Sequence, residues 1–213
     1  MSYAVKEIVY TLQGEGAQTG RAAVFCRFAG CNLWSGREED RADAICRFCD
    51  TDFVGTDGPG GGRFESAEAL ARAIHDKWPK ESPSGVRPFV VCTGGEPLLQ
   101  LDESLISELS TRGFEIAVET NGTLPAPDGL DWICVSPKPG TDLVIVGGDE
   151  LKLAYPQEGI NPEEYQHLNF RHFFLQPIAG PDREENTRRA VEFCLKHPTW
   201  RLSLQVHKML GLP

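Results

Sequence analysis

Three cysteines in one irregular stretch, Cys31, Cys46 and Cys49, are the residues whose type and spacing most directly suggest chemistry. Cys46-Arg47-Phe48-Cys49 is a Cys-x-x-Cys pair, which lets two thiolates reach one metal or cluster from a tight turn. Three readings are open. A closed structural zinc site needs four ligands, and Asp50 or Asp52 would have to supply the fourth. A thioredoxin-like redox pair would use Cys46 and Cys49 and leave Cys31 idle. A cubane iron–sulfur cluster would take all three thiolates and keep one iron open, which implies reactivity rather than plain electron transfer. Cys26, Cys92 and Cys134 lie in strand-like runs and Cys194 lies in a helical one, where free cysteine is ordinary core.

Other polar groups recur at one kind of place. Apolar runs end in Gly30-Cys31, Thr93-Gly94-Gly95-Glu96-Pro97, Glu119-Thr120-Asn121-Gly122, Ser136-Pro137-Lys138, Gln176-Pro177 and His207-Lys208. Asp50-Thr51-Asp52 follows the cysteines directly and offers oxygen ligands for a hard cation, or an Asx-type turn. Gly58–Gly62 lacks the Gly-Lys-Ser/Thr ending of a phosphate loop and reads as flexible linkage.

The runs that carry these groups are strand candidates: Ala23–Phe28, Phe89–Cys92, Phe114–Val118, Trp132–Val135, Leu151–Ala154, Phe173–Leu175 and Leu202–Val206. Helical patterns at Ala67–Trp78 (N-cap Ser66), Leu105–Ser110 and Glu185–Lys196 alternate with some of them, which argues for parallel βα units. Too few helices follow the strands for a full eight-fold barrel, so an incomplete barrel or an open sheet fits. In such folds the C-terminal strand ends share one rim where ligands bind, so the six polar groups are expected to make one site.

The 213 residues suit one domain, and a 40% hydrophobic fraction is enough for a sizeable core. A net charge of −10 disfavours nucleic acid, which needs a basic surface. No run reaches membrane-span length and the start lacks a signal-peptide pattern, so no membrane partner and a cytoplasmic location are expected. Seven cysteines in such a chain point to thiols or metal ligands rather than disulfides.

Leu12-Gln13-Gly14-Glu15-Gly16, the three cysteines with Cys49-Asp50-Thr51, and the rim motifs at 93–97, 119–122 and 136–138 occur here in one order. With them the chain resembles the radical S-adenosylmethionine superfamily and, within it, the 7-carboxy-7-deazaguanine synthase family, over nearly its whole length. One departure stands out: fourteen residues separate Cys31 from Cys46, where the superfamily usually has three. The insert is mostly polar, so a looped-out excursion can return Cys31 to the other two.

The resemblance implies a partial (β/α) TIM-like barrel of about six parallel core strands with few helices. It would be one radical-SAM domain over residues 1–213, with a cluster-loop insert around 31–63. It implies that Cys31, Cys46 and Cys49 ligate a [4Fe–4S] cluster whose open iron takes S-adenosylmethionine. Gly94, Gly95 and Glu96 would meet the methionine end of that cofactor, and the Phe48 backbone its adenine. Ser136, Lys138, Asn121 and Gln176 would meet its ribose, carboxylate or base. The implied substrate is 6-carboxy-5,6,7,8-tetrahydropterin, converted to 7-carboxy-7-deazaguanine with loss of ammonia in queuosine biosynthesis. Leu12, Gln13, Gly14 and Glu15 would meet its pyrimidine edge and Arg27 its anion, with Thr93 and His207 in support. Thr51 would ligate Mg²⁺, with Asp50 acting through water. An electron donor such as flavodoxin and a homodimer complete the implied partners.

The apolar end Met209-Leu210-Gly211-Leu212-Pro213 is expected to pack inward and present the Pro213 α-carboxylate to the pterin. The rival readings are an activase that installs a glycyl radical on a protein and, outside enzymes, a zinc-stabilised binding module.

Overall fold

A computed structural model describes residues 2–83 and 85–213. Among them, nine strands form one sheet. Strands β1 (Tyr3–Leu12) and β2 (Ala22–Phe28) make an antiparallel hairpin, and β3 (Gly62–Phe64) pairs with the outer edge of β1. From β2 the sheet runs on through β4 (Phe89–Gly94), β5 (Glu115–Thr120), β6 (Trp132–Val135), β7 (Gly147–Tyr155), β8 (Asn169–Pro177) and β9 (Trp200–Leu202), all parallel. Four helices, α1 (Ala67–His75), α2 (Glu103–Thr111), α3 (Arg183–Lys196) and the short α4 (Val206–Leu210), complete the chain. Strands β2 and β4 to β8 are the six expected core strands. The strand order is open, with β3 and β9 at the two edges. This is a partial barrel.

Strand alternation decides which side chains meet a ligand. Successive residues of a strand face opposite sides of the sheet. Val24, Cys26, Phe28, Val90, Cys92, Ile116 and Val118 pack against Leu70 and Ile74 of α1 and Leu105 and Leu109 of α2. A second core sets Leu151, Leu153, Phe173 and Leu175 against Ala190 of α3 and Trp200. Burying each such side chain contributes roughly 1.5–3 kcal/mol. On the opposite face Ala23, Phe89, Val91 and Ala117 form a small apolar plug near the strand starts. Farther along the same face the residues turn polar: Arg27, Thr93, Glu119, Lys152 and Gln176 line a cavity.

The helices begin where their caps dictate. The Ser66 side chain accepts from the Ala69 amide at 3.2 Å, and the Asp102 side chain accepts from Leu105 at 2.9 Å. Thus α2 begins two residues before the expected Leu105.

Three features differ from the sequence reading. β1 was not anticipated, because a bulge between Val5 and Glu7 breaks its alternation. The glycine-rich run is not loose linkage: the Ile8 amide donates to Pro59 at 2.8 Å and the Gly58 amide to Lys6 at 2.9 Å, leading into β3. The last strand stops at Leu202 instead of running to Val206. The Val206 amide donates at 2.9 Å to the Gly14 carbonyl, outside the sheet, so His207 and Lys208 reach the rim from α4. Among the described residues no helix is long and apolar enough to cross a membrane.

Candidate active site

The long excursion after β2 is pinched at its neck. The amides of Ile45 and Cys46 both donate to the Leu33 carbonyl, at 3.2 and 3.4 Å, which returns Cys46 toward Cys31. Beyond the neck the insert forms a 3₁₀ turn at Glu38–Asp43. Trp34, Ala44 and Phe53 build an apolar nest against Cys31 and Cys49, with Trp34 edge-on to Phe53 at 5.6 Å.

Burial in the nest favours the neutral thiols, and neighbouring hydrogen-bond donors oppose it. Burial pushes the Cys31 thiol up, but the Leu33 amide donates to its Sγ at 3.4 Å and opposes that shift, as does the Trp34 amide. The hydrogen bond from Cys46 holds the Cys49 thiol down to about 6, with the Thr51 amide helping against burial. The same bond, with burial, pushes Cys46 up. Among the described residues no three His, Cys, Asp or Glu side chains close on a single ion. Three sulfurs, with N–H donors and apolar cover at Cys31 and Cys49 and with Cys46 buried beside them, fit a cluster in which each of three irons takes one thiolate.

The end of β4 is built against this loop. The Gly95 amide donates to Phe28 at 3.2 Å and the Glu96 amide to Gly30 at 2.9 Å. A Cβ at Gly95 would stand 2.0 Å from the Gly30 carbonyl oxygen and 3.1 Å from the Cys31 Cβ. The close approach that glycine permits here is to the cysteine loop itself. Gly95→Ala is therefore expected to push Cys31 off its position. Bound iron per chain after reconstitution should fall by half or more while the far-UV spectrum stays native, and full iron loading would refute this.

Glu96 sits behind the cavity wall, fully buried. Its carboxylate accepts from the Thr120 hydroxyl at 2.7 Å, the Asn121 amide at 2.8 Å and the Leu98 amide at 3.0 Å. It therefore locks β4 to β5 and caps the turn at Pro97. Asn121 lines the cavity, and its side-chain amide bonds Asn32 at 2.9 Å, at the start of the insert. Lys138 is pushed down by burial, against the pull of Cys46, Cys49 and Glu96, and donates to the Ser136 hydroxyl at 2.8 Å.

A second charged group lies between the hairpin loop and the middle strands. Lys152 from β7 bonds the Glu15 carboxylate and stands 3.7 Å from Glu119. Its side chain is only 7% exposed. Burial pushes this ammonium down, but Glu119 and Glu15 overcome it and hold Lys152 well above its ordinary range. Burial likewise pushes Glu15 up, yet Lys152, Gln205 and Gln176 hold it at about 2. Gln205 donates to Glu15 at 2.9 Å, and Gln13 donates to Glu119 at 2.9 Å. Thr93 donates to the other Glu119 oxygen at 3.2 Å. Glu150, one pleat before Lys152, accepts the Ala17 amide at 2.9 Å and so steadies the loop from below. A Cβ on Gly14 would meet the His207 ring at 2.1 Å, so that glycine admits the imidazole.

Both groups face one cavity of about 390 Å³. It is lined by Cys31, Cys46, Cys49, Phe48, Thr51, Gly94, Gly95, Asn121, Ser136, Lys138 and Gln176, and by Leu12, Gln13, Glu15, Arg27, Thr93, His207 and Pro213. Gly14 and Glu96 are the expected site residues outside this lining. Arg27 is held through Nε by Glu7 at 2.8 Å. Of the cation triplet only Thr51 is unengaged by a lysine: Lys208 bonds Asp50, and Lys6 pairs with Asp52 at 2.9 Å. Asp52 also accepts the Val54 amide at 3.1 Å, the Asx-turn alternative.

Glu119, Lys152 and Gln205 were missed. Glu119 stands in a motif singled out above, and Lys152 is the charged residue in an otherwise apolar stretch at an inward position. Gln205 carried no signal, because it meets Glu15 across 190 residues.

No protein-family model matches the chain. It is 64% identical over 212 residues to a 7-carboxy-7-deazaguanine synthase from Bradyrhizobium diazoefficiens, covering 100% of both chains. It is 62% identical over 213 residues to the protein of that name from Caulobacter vibrioides, again covering 100% of both. Among solved structures it superposes on a crystal structure of QueE from Escherichia coli with a TM-score of 0.68. That match is 28% identical and covers 97% of this chain and 95% of that one.

Proposed function

The chain belongs to the 7-carboxy-7-deazaguanine synthase family, and from that membership we propose that it converts 6-carboxy-5,6,7,8-tetrahydropterin to 7-carboxy-7-deazaguanine with loss of ammonia. It is a radical S-adenosylmethionine carbon–nitrogen lyase of queuosine (7-deazapurine) biosynthesis. The observation that carries the reading is the meeting of three sheltered loop thiols and the Glu15–Lys152 pair on one cavity. When bound, the [4Fe–4S] cluster and S-adenosylmethionine supply a hydrogen-abstracting 5′-deoxyadenosyl radical.

The chain's own residues bind and orient. Cys31, Cys46 and Cys49 hold the cluster. Gly94, Gly95, Ser136, Lys138, Asn121, Gln176 and the Phe48 backbone form the bed for S-adenosylmethionine, with Glu96 bracing it from behind. Glu15 is an ionised acceptor fixed by Lys152 and Gln205 before substrate arrives, which suits the N–H donors of a pterin edge. Leu12, Gln13 and Gly14 flank it, and Thr93, His207 and Pro213 complete the wall. The Arg27 fork, with Nε taken by Glu7, keeps its terminal nitrogens for the pterin carboxylate. Thr51 is the proposed Mg²⁺ ligand. A single protein oxygen suits an ion that keeps most of its waters and takes substrate oxygens.

We also propose one radical-SAM domain over residues 1–213, its cluster-loop insert spanning about 31–63, an electron donor such as flavodoxin, a homodimer and a cytoplasmic setting. Family membership supports each. An activase acting on a protein needs a broad docking face, whereas 390 Å³ falls within the roughly 300–1,000 Å³ of small-ligand sites.

Anaerobic reconstitution tests the reading. Brown protein given the reduced carboxypterin, S-adenosylmethionine, magnesium and a strong reductant should yield 7-carboxy-7-deazaguanine, identified by mass spectrometry as substrate less one ammonia. A colourless protein holding one zinc, or a brown one giving no such product, would reject it.

A further inference from the structure

The insert between Cys31 and Cys46 does more than fill a gap. Arg41, in its 3₁₀ turn, reaches over the Cys-x-x-Cys turn and donates through Nη1 to the carbonyls of Arg47 at 2.8 Å and Cys49 at 3.2 Å. These two carbonyls bracket Phe48, so a single guanidinium fixes the backbone that aims two of the three thiols. The guanidinium is itself immobilised. Its plane lies over the Trp34 ring at 4.1 Å, and both Glu38 oxygens accept from Nε at 2.8 Å. Trp34 is anchored in turn by its indole N–H, which donates to the Arg37 carbonyl at 3.1 Å, and by the nest around Cys31 and Cys49. The tie is reciprocal, since Arg47 on the ligand turn donates back to the Ala44 carbonyl of the insert at 3.2 Å.

We propose that Arg41 is a positioning residue for the iron–sulfur cluster, clamping the Cys46–Cys49 turn from the insert and placing a fixed positive charge behind it. The inference rests on the cluster reading above. Arginine does these jobs at once: Nη1 holds the two carbonyls, Nε keeps the Glu38 carboxylate, and the guanidinium face stacks on an aromatic ring. Partners of this kind, one step removed from the metal, orient the ligands and tune the centre. The charge has a defined consequence. A nearby cation stabilises the reduced, more negative cluster, so its removal lowers the midpoint potential.

The test uses reconstituted full-length protein as wild type, Arg41→Met and Arg41→Lys. Arg41→Met is expected to lose iron to a chelator about 10-fold faster or more, the scale on which such partners act on metal affinity. Its midpoint potential, read by spectroelectrochemistry, should fall. Arg41→Lys keeps the charge without the fork, so it should lose iron faster while its potential stays near wild type. Iron loss and potential unchanged in both variants would overturn the clamp. A wild-type chain that assembles no iron–sulfur centre would instead overturn the functional reading, so the two failures are distinguishable. Circular dichroism separates either effect from misfolding: Arg41→Met with a native spectrum and faster iron loss supports the clamp. If Arg41→Met misfolds, the comparison rests on Arg41→Lys, and wild-type iron retention in that variant overturns it.

Discussion

Cys49→Ser is expected to leave a folded chain that assembles no stable cluster and forms product at least about three orders of magnitude more slowly, as when a group central to the chemistry is removed. Cys49 carries the thiol most disposed to ionise, held down to about 6 by its bond from Cys46. A serine hydroxyl fits the same space, but ionises far less readily and bonds iron poorly. The apolar nest of Trp34, Ala44 and Phe53 is otherwise untouched, so the thermal transition should move little. Cys194→Ser is the control. Cys194 lies on α3 and packs in the second core, outside the cavity lining, and its replacement should keep both colour and turnover. A Cys49→Ser protein with wild-type iron and visible absorbance would end the cluster assignment.

Lys152→Met should damage both stability and substrate binding. Removing one partner of a buried ion pair typically costs about 3–5 kcal/mol, because the remaining charge has no compensation. Here two carboxylates, Glu15 and Glu119, lose their common cation, with buried Glu150 nearby. Glu15 should then protonate or swing away, and the pterin KM should rise more than kcat falls.

The pH dependence carries a definite sign. In the native chain Glu15 lies at about 2 against an ordinary glutamate value of 4.5. Its contribution to stability is therefore present above pH 4.5 and is lost as pH falls toward 2. Without Lys152, burial is the largest influence on Glu15 and is opposed only by its bonds from Gln205 and Gln176, so the carboxyl rises, and the penalty present near neutrality is relieved by acid. The stability gap between wild type and Lys152→Met should therefore narrow from pH 7 to pH 4. A gap that widens on acidification would mean that Lys152 does not set the ionisation of Glu15.

Local periodicity made much of this molecule legible. The parallel strands show as short apolar runs because both of their faces are covered, and the cap of α1 is an ordinary Ser signal. The rim residues could be read because each follows its strand directly. What could not be read depends on distant partners. The role of Glu96 turns on Thr120 and Asn121, which β-strand pairing brings to it. Lys152 looks like any strand lysine until Glu15 arrives from the hairpin loop. The last strand ends at Leu202, short of the expected Val206, because Val206 finds its partner at Gly14 rather than in the sheet.

The pinched neck at Leu33 separates two quantities that a ligand motif usually conflates. One carbonyl receiving the amides at 45 and 46 fixes where the chain re-enters, so the contour length between first and second ligands is free to vary as a tethered side branch. Spacer length is therefore a poor search key for sites of this architecture: grafts between 35 and 43 that keep Arg41 and its partners should preserve thiol placement provided both amides still find their acceptor, whereas a deletion that removes Arg41 should keep the re-entry point and loosen the Cys46–Cys49 turn.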